Sequence, residues 1–232
     1  KKDGLNIYTD LLIGLPGETK ESHIRSVKEA LDSGFYRTQI ADIRLLAGSR
    51  MEEDDYREKF EIETRFRVIP SAYGEYGKFR VVEYEKCIRK TNAMSESDFF
   101  ELRLLHAYIF LLYNIELGRP LLDFSKKYGF HPIDLISCIT RRPSEKDYPI
   151  LARQVDSYME QANNEWFKDE EDANAYYLKD DIFEEITKYG FPKLNYDFAA
   201  KLVINGSLMS EFIEWIACNI KEKLPNDKAS VI

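Results

Sequence analysis

The chain has 232 residues, 44% hydrophobic and 13% aromatic, enough to bury a sizeable core and too apolar for a disordered segment. Its net charge of -8 lies wholly in the second part: residues 1–94 hold 17 basic and 17 acidic side chains, residues 95–232 hold 16 and 24. This excludes a non-specific nucleic-acid binder, which needs a basic face, and the longest apolar run, Ala107–Tyr113, falls far short of the ~20 residues of a membrane helix.

In chain order, Thr9–Ile13 reads as a buried parallel strand that breaks at Gly14, makes a Pro16-Gly17 turn and starts a helix at Thr19. Thr19 is placed to cap a helix whose Ile24, Val27 and Leu31 share one face, and Gly34 stands where a left-handed C-terminal cap belongs. Thr38–Leu46 is the second strand, ending in Ala47-Gly48-Ser49. Two apolar strands joined by one helix imply a parallel crossover, and such a unit leaves strand edges and one sheet face open. With no strand ahead of it to pair with, the chain reads as starting in the middle of a domain, with those edges offering a route to dimerisation.

Residues 57–94 read as a β-hairpin connector. Phe66, Val68 and Ile69 precede a long Gly-rich aromatic tip over residues 70–77, and Phe79–Tyr84 returns as the second strand. Residues 95–232 form an acidic helical region. Ser95 or Ser97 opens a helix from Asp98 to Ile115 that is apolar nearly all round and so is central and buried. Pro120 starts another helix that Gly129 stops, and His131-Pro132 starts a third. Leu151, Val155, Tyr158, Met159 and Ala162 fall at helical spacing, as do Leu208, Phe212, Trp215, Ile216 and Ile220; Pro225–Ile232 is expected to fray. The fold class is therefore α+β: a β-α-β end over residues 1–56, a hairpin, and a mainly α-helical bundle.

Few residues suggest chemistry by themselves. Cys87, Cys138 and Cys218 are too far apart for a disulfide framework or a local metal knuckle, and read as reduced thiols of a cytoplasmic protein. No signal peptide is legible after Lys1. His106, in the apolar helix, reads as a satisfied core histidine rather than a ligand. Glu52–Asp55 and Asp169–Asp172 lack the mid-loop glycine of a calcium loop and read as solvated helix ends. Tyr73, Tyr76, Phe79 and Tyr84 fit hairpin packing better than ligand stacking. No nucleophile–histidine arrangement is legible.

The run Ile13-Gly14-Leu15-Pro16-Gly17-Glu18-Thr19, its helix, and a strand ending in Ala47-Gly48-Ser49 resemble the late part of a radical SAM enzyme, the last two units of an open β/α barrel. In that family the last strand commonly ends in a Pro-Gly-Thr-like turn, which Ala47-Gly48-Ser49 replaces. Thr64–Pro70 and the Thr91–Ser95 step into an aromatic helix further resemble the C-terminal part of the cobalamin-binding type. The resemblance implies that Ile13 and Gly14 line an adenosyl pocket, that Ile43 and Leu45 contact the adenine, and that Glu18 sits at the helix start. Asp42 and Arg44 share a strand face that would hydrogen-bond a substrate inside a barrel. It also implies SAM and a 4Fe-4S cluster in the full-length protein, with cobalamin for that type. The CxxxCxxC cluster motif, the glycine-rich strand for the SAM amino group and any cobalamin-binding segment are absent here, so the fragment alone is not expected to catalyse. Its expected partner is the missing N-terminal part of the same polypeptide. The same strand-turn-helix also suits any α/β protein, and the rival reading is a non-catalytic helical interaction module with a β-α-β appendage. Glu18 stands where the lysine of a phosphate-cradling loop belongs, which disfavours that reading.

Overall fold

Strand β1 (Tyr8–Ile13) pairs in parallel with β2 (Arg37–Asp42), and helix α1 (Lys20–Asp32) makes the crossover. This computed structural model describes residues 7–223; the expected fraying of Pro225–Ile232 lies outside them. Thr19 caps α1 in a capping box: its hydroxyl accepts from Ser22 N–H while Ser22 Oγ accepts from Thr19 N–H. One face of the parallel pair is covered by α1, through Val27 and Leu31. The other leaves Tyr8, Asp10 and Leu12 beside Arg37, Gln39 and Ala41, all exposed.

After a single 3₁₀ turn (Arg50–Glu52), α2 (Asp54–Phe60) leads into an antiparallel hairpin of β3 (Glu63–Tyr76) and β4 (Phe79–Lys90). The acidic run 52–55 spans the end of the 3₁₀ turn and the start of α2, where Asp54 and Asp55 complement the helix dipole. The predicted long tip is replaced by a two-residue turn at Gly77-Lys78. Residues 70–76 continue β3, and the surplus backbone is absorbed by a bulge between Val68 and Tyr73, with Ser71 at φ 70. Tyr76 and Phe79 face each other, exposed, at the tip.

The chain beyond β2 joins the two sheets. Leu45 N–H donates to the Lys86 carbonyl and Ile88 N–H to the Ile43 carbonyl, so residues 43–45 run antiparallel beside β4. Within β2, Thr38 is met by a side chain. Helix α3 (Glu96–Ile109), capped by Ser95, widens into one π-type turn (Phe110–Asn114), where the sequence predicts an unbroken helix to Ile115. That turn brings the Asn114 amide against the backbone of Thr38.

The remaining helices are α4 (Arg119–Lys127), α5 (Pro132–Ile139), α6 (Pro149–Asn164), α7 (Glu170–Tyr177), α8 (Asp180–Tyr189), α9 (Leu194–Ile204) and α10 (Gly206–Lys223). Pro120 lies in the first turn of α4, Gly129 follows its end at φ 87, and His131 caps α5 by accepting from Ile133 N–H. One core runs from Ile13, Val27 and Ile43 through Phe99, Leu102 and Tyr108 of α3 to Phe198, Phe212 and Ile216. A smaller one joins Val68 and Val82 of the hairpin to Tyr177, Phe183 and Ile186 of α7 and α8. The architecture is α+β. No helix among the described residues is long and apolar enough to cross a membrane.

Candidate functional site: the turn after β1 and the charges beside β2

Leu15-Pro16-Gly17-Glu18 is a tight turn closed by Glu18 N–H on the Leu15 carbonyl at 2.9 Å, with Pro in its second and Gly17 (φ 86) in its third position, the chemistry of a type II turn. Gly14 is also left-handed, at φ 97, and a Cβ there would lie 2.8 Å from Phe99 Cζ. The close approach that Gly14 permits is therefore made by a core ring of α3.

Glu18 ties the turn together. One carboxylate oxygen accepts Gly14 N–H at 2.9 Å; the other lies 3.1 Å from His23 Nδ1, and His23 Nε2 lies 3.0 Å from His106 Nε2. Burial pushes the Glu18 carboxyl up, but the His23 hydrogen bond and Gly14 N–H outweigh it and hold it below its ordinary value. Burial, then the facing His23, Arg103 and Arg89, holds His106 well below the usual histidine range, so it stays neutral. One arrangement of ring protons suits these contacts: His23 Nδ1–H donates to Glu18, and His106 Nε2–H donates to His23 Nε2. His106 is half-buried and commits its Nε2 to His23. His23 was legible only as the polar member of the α1 stripe that continues through Val27 and Leu31.

Beside the end of β2 lies a dense charge cluster. Arg67 Nη1 is 3.3 Å from Asp42 and 3.4 Å from Glu165, and the Arg67 guanidinium also bonds Glu85. Arg89 is 3.3 Å from Asp42, Arg103 is 3.4 Å from Glu165, and Arg44 pairs with Glu85. The Trp166 ring holds Arg67 and Arg89, each 4.4 Å from its centroid. Burial alone would lower Arg67, but Asp42, Glu165 and Glu85 reverse this and raise it; burial lowers Arg89. Asp42 and Arg44 do share a network, as their strand parity implies, and their partners are hairpin side chains. Glu85, Arg89, Arg103, Glu165 and Trp166 lie in no motif, and Arg67 stands only inside the Thr64–Pro70 stretch. The only sequence signal of Arg67, Glu85, Arg89 and Arg103 is charge inside strand and helix patterns that carry apolar residues.

The five residues expected to hold SAM are not gathered around one cavity. Ile13, Ile43 and Leu45 are in the core at 2%, 4% and 5% exposure, Gly14 is packed under Phe99, and Glu18 is engaged by Gly14 and His23. Leu45 also lines a cavity of about 420 Å³ with Arg44, Phe66 and Tyr84. The cysteines do not fit a four-iron cluster: they lie in β4, α5 and α10, and burial pushes the Cys87 thiol up to about 12, away from the thiolate a ligand needs. Among the described residues no group of three or more His, Cys, Asp or Glu is placed to hold a metal ion. No protein-family model matches the chain, and no curated protein matches its sequence.

Proposed function

We propose that this chain is the C-terminal part of a cytoplasmic radical SAM enzyme, in which β1 and β2 are the last two strands of an open β/α barrel. The observation that carries this reading is the asymmetry of the parallel pair. Beyond β1, the β2 side is met by Asn114 at Thr38, and the chain just past β2 (residues 43–45) pairs with β4, whereas among the described residues no strand pairs with the outer edge of β1. The face bearing Tyr8, Asp10, Leu12, Arg37, Gln39 and Ala41 is bare as well. A preceding set of strands would cover that edge and turn this face inward.

In this reading the preceding part of the polypeptide brings the cluster cysteines, most of the SAM site and any cobalamin segment. The cluster supplies the electron that cleaves SAM. The residues of this chain position and cover. Gly14 and Glu18 fix the turn after β1, Ile13, Ile43 and Leu45 stiffen the wall beside it, and the helices shield one side from water. Alone, the chain would associate through the β1 edge.

The rival reading, a helical interaction module, draws support from the core shared by the β-α-β unit and α3–α10. The experiment is anaerobic purification of the protein from its full reading frame, followed by a SAM-cleavage assay under reducing conditions. Cleavage supports the enzyme; a full-frame protein without an iron–sulfur chromophore that leaves SAM intact overturns it.

A further inference from the structure

A cavity of about 430 Å³ opens between the end of α6, helices α7 and α8, and the bend at residues 190–192. Rings form much of its wall. Tyr176 and Tyr177, consecutive in α7, meet edge to face with centroids 4.9 Å apart and planes at 88°, and Phe191 lies 6.0 Å from Tyr177. Two carboxylates also line it, Glu165, buried, and Glu185, exposed and in no ion pair among the described residues, beside the Gln161 and Asn164 amides and the aliphatic Ile182, Ile186 and Leu194. The stretch 165–191 that builds the site holds nine acidic and three basic residues. Two of those three already rest on aromatic faces, Lys179 over Tyr176 at 5.4 Å and Lys188 over Tyr189 at 4.8 Å.

The sign of the ligand follows from these walls. Aromatic faces carry negative potential, and perpendicular rings present that potential from more than one direction to a group lodged in their corner. An anion would be repelled by the rings, by Glu185 and by the surrounding acidic stretch. An uncharged apolar molecule would gain only burial. A compact organic cation gains burial, cation–π attraction and a counter-charge together, and the cavity is of small-molecule size. We propose that this cavity binds a small organic ammonium ion, with Tyr176, Tyr177 and Phe191 against its alkyl groups and Glu185 as its counter-charge. Glu165 already pairs with Arg67 and Arg103, so an occupant would touch a carboxylate that belongs to the charge cluster beside β2. The site is independent of the barrel reading, because it lies wholly in α6–α9.

The test is calorimetric titration of the purified chain with choline and with its uncharged isostere, in which carbon replaces the ammonium nitrogen. Choline should bind at least about tenfold more tightly than the isostere. Glu185→Gln, an exposed substitution, should weaken choline severalfold and leave the isostere unchanged. Phe191→Leu, which keeps apolar volume but removes the ring, should weaken choline more than the isostere, with circular dichroism checking the fold. Equal affinity for the two compounds, or no choline binding at about 10 mM, overturns the proposal.

Discussion

Asn114 pairs with the backbone of Thr38 as a neighbouring strand would: its Oδ1 accepts Thr38 N–H at 3.0 Å, and its Nδ2 donates to the Thr38 carbonyl at 2.9 Å. The π-type turn at the end of α3 delivers this amide, and one side chain thereby stops the sheet from growing past β2 at that point. Asn114→Leu would orphan a donor and an acceptor in a buried position. The expected cost is about 2–4 kcal/mol, read from the urea midpoint with an unchanged m-value.

Gly14 and Phe99 make a second indispensable contact. Gly14→Ala adds left-handed strain of about 1–2 kcal/mol and drives a Cβ into the Phe99 ring. Phe99→Leu vacates that space, so in a double-mutant cycle the pair should cost less than the sum of the single changes by at least about 1 kcal/mol. Additive costs would show that backbone strain alone accounts for the glycine.

The histidine relay predicts a pH dependence. His106 is held well below its ordinary value of 6.5 in the folded chain, so between 6.5 and that lowered value the unfolded chain binds more protons. Stability from this group is complete above about pH 6.5 and falls as the pH drops below it, with a limiting slope of about 1.4 kcal/mol per pH unit. Glu18 is also lowered, from 4.5, so its contribution is lost only in more acidic solution, as the pH falls through its folded value. His106→Gln should flatten the stability profile between pH 6.5 and 5 and leave the more acidic limb. The check is a set of urea unfolding curves at half-unit pH steps.

Arg67 faces three carboxylates, Asp42, Glu85 and Glu165. Arg67→Met would leave them crowded with less counter-charge, at a cost of about 3 kcal/mol or more. Replacing Arg67 together with Glu85 by Met and Gln should recover part of that loss. The measurement is chemical denaturation of the two variants beside the parent chain.

Local chemistry made much of the fold legible. Thr19, Ser95, Pro120, Gly129 and His131-Pro132 mark helix ends because capping and turn formation involve only near neighbours. The hairpin tip was misplaced because Gly74 and Pro70 look like turn formers, yet the cross-strand register carries β3 on to Tyr76 and Gly77 alone makes the turn. The candidate site was less legible. The Gly14–Glu18 turn shows in the sequence because all its bonds lie within five residues. The partners of His23, Asp42 and Thr38 come from 83, 47 and 76 positions away, which no spacing rule anticipates.

The central claim is that β1 is an inner strand of a larger barrel whose other strands precede it. The most direct measurement is the nucleotide sequence upstream of the Lys1 codon in the same reading frame. The expected result is an open frame of several β/α units that encodes CxxxCxxC. A start codon close to Lys1 with no such segment would contradict it and leave the helical interaction module as the reading of this chain.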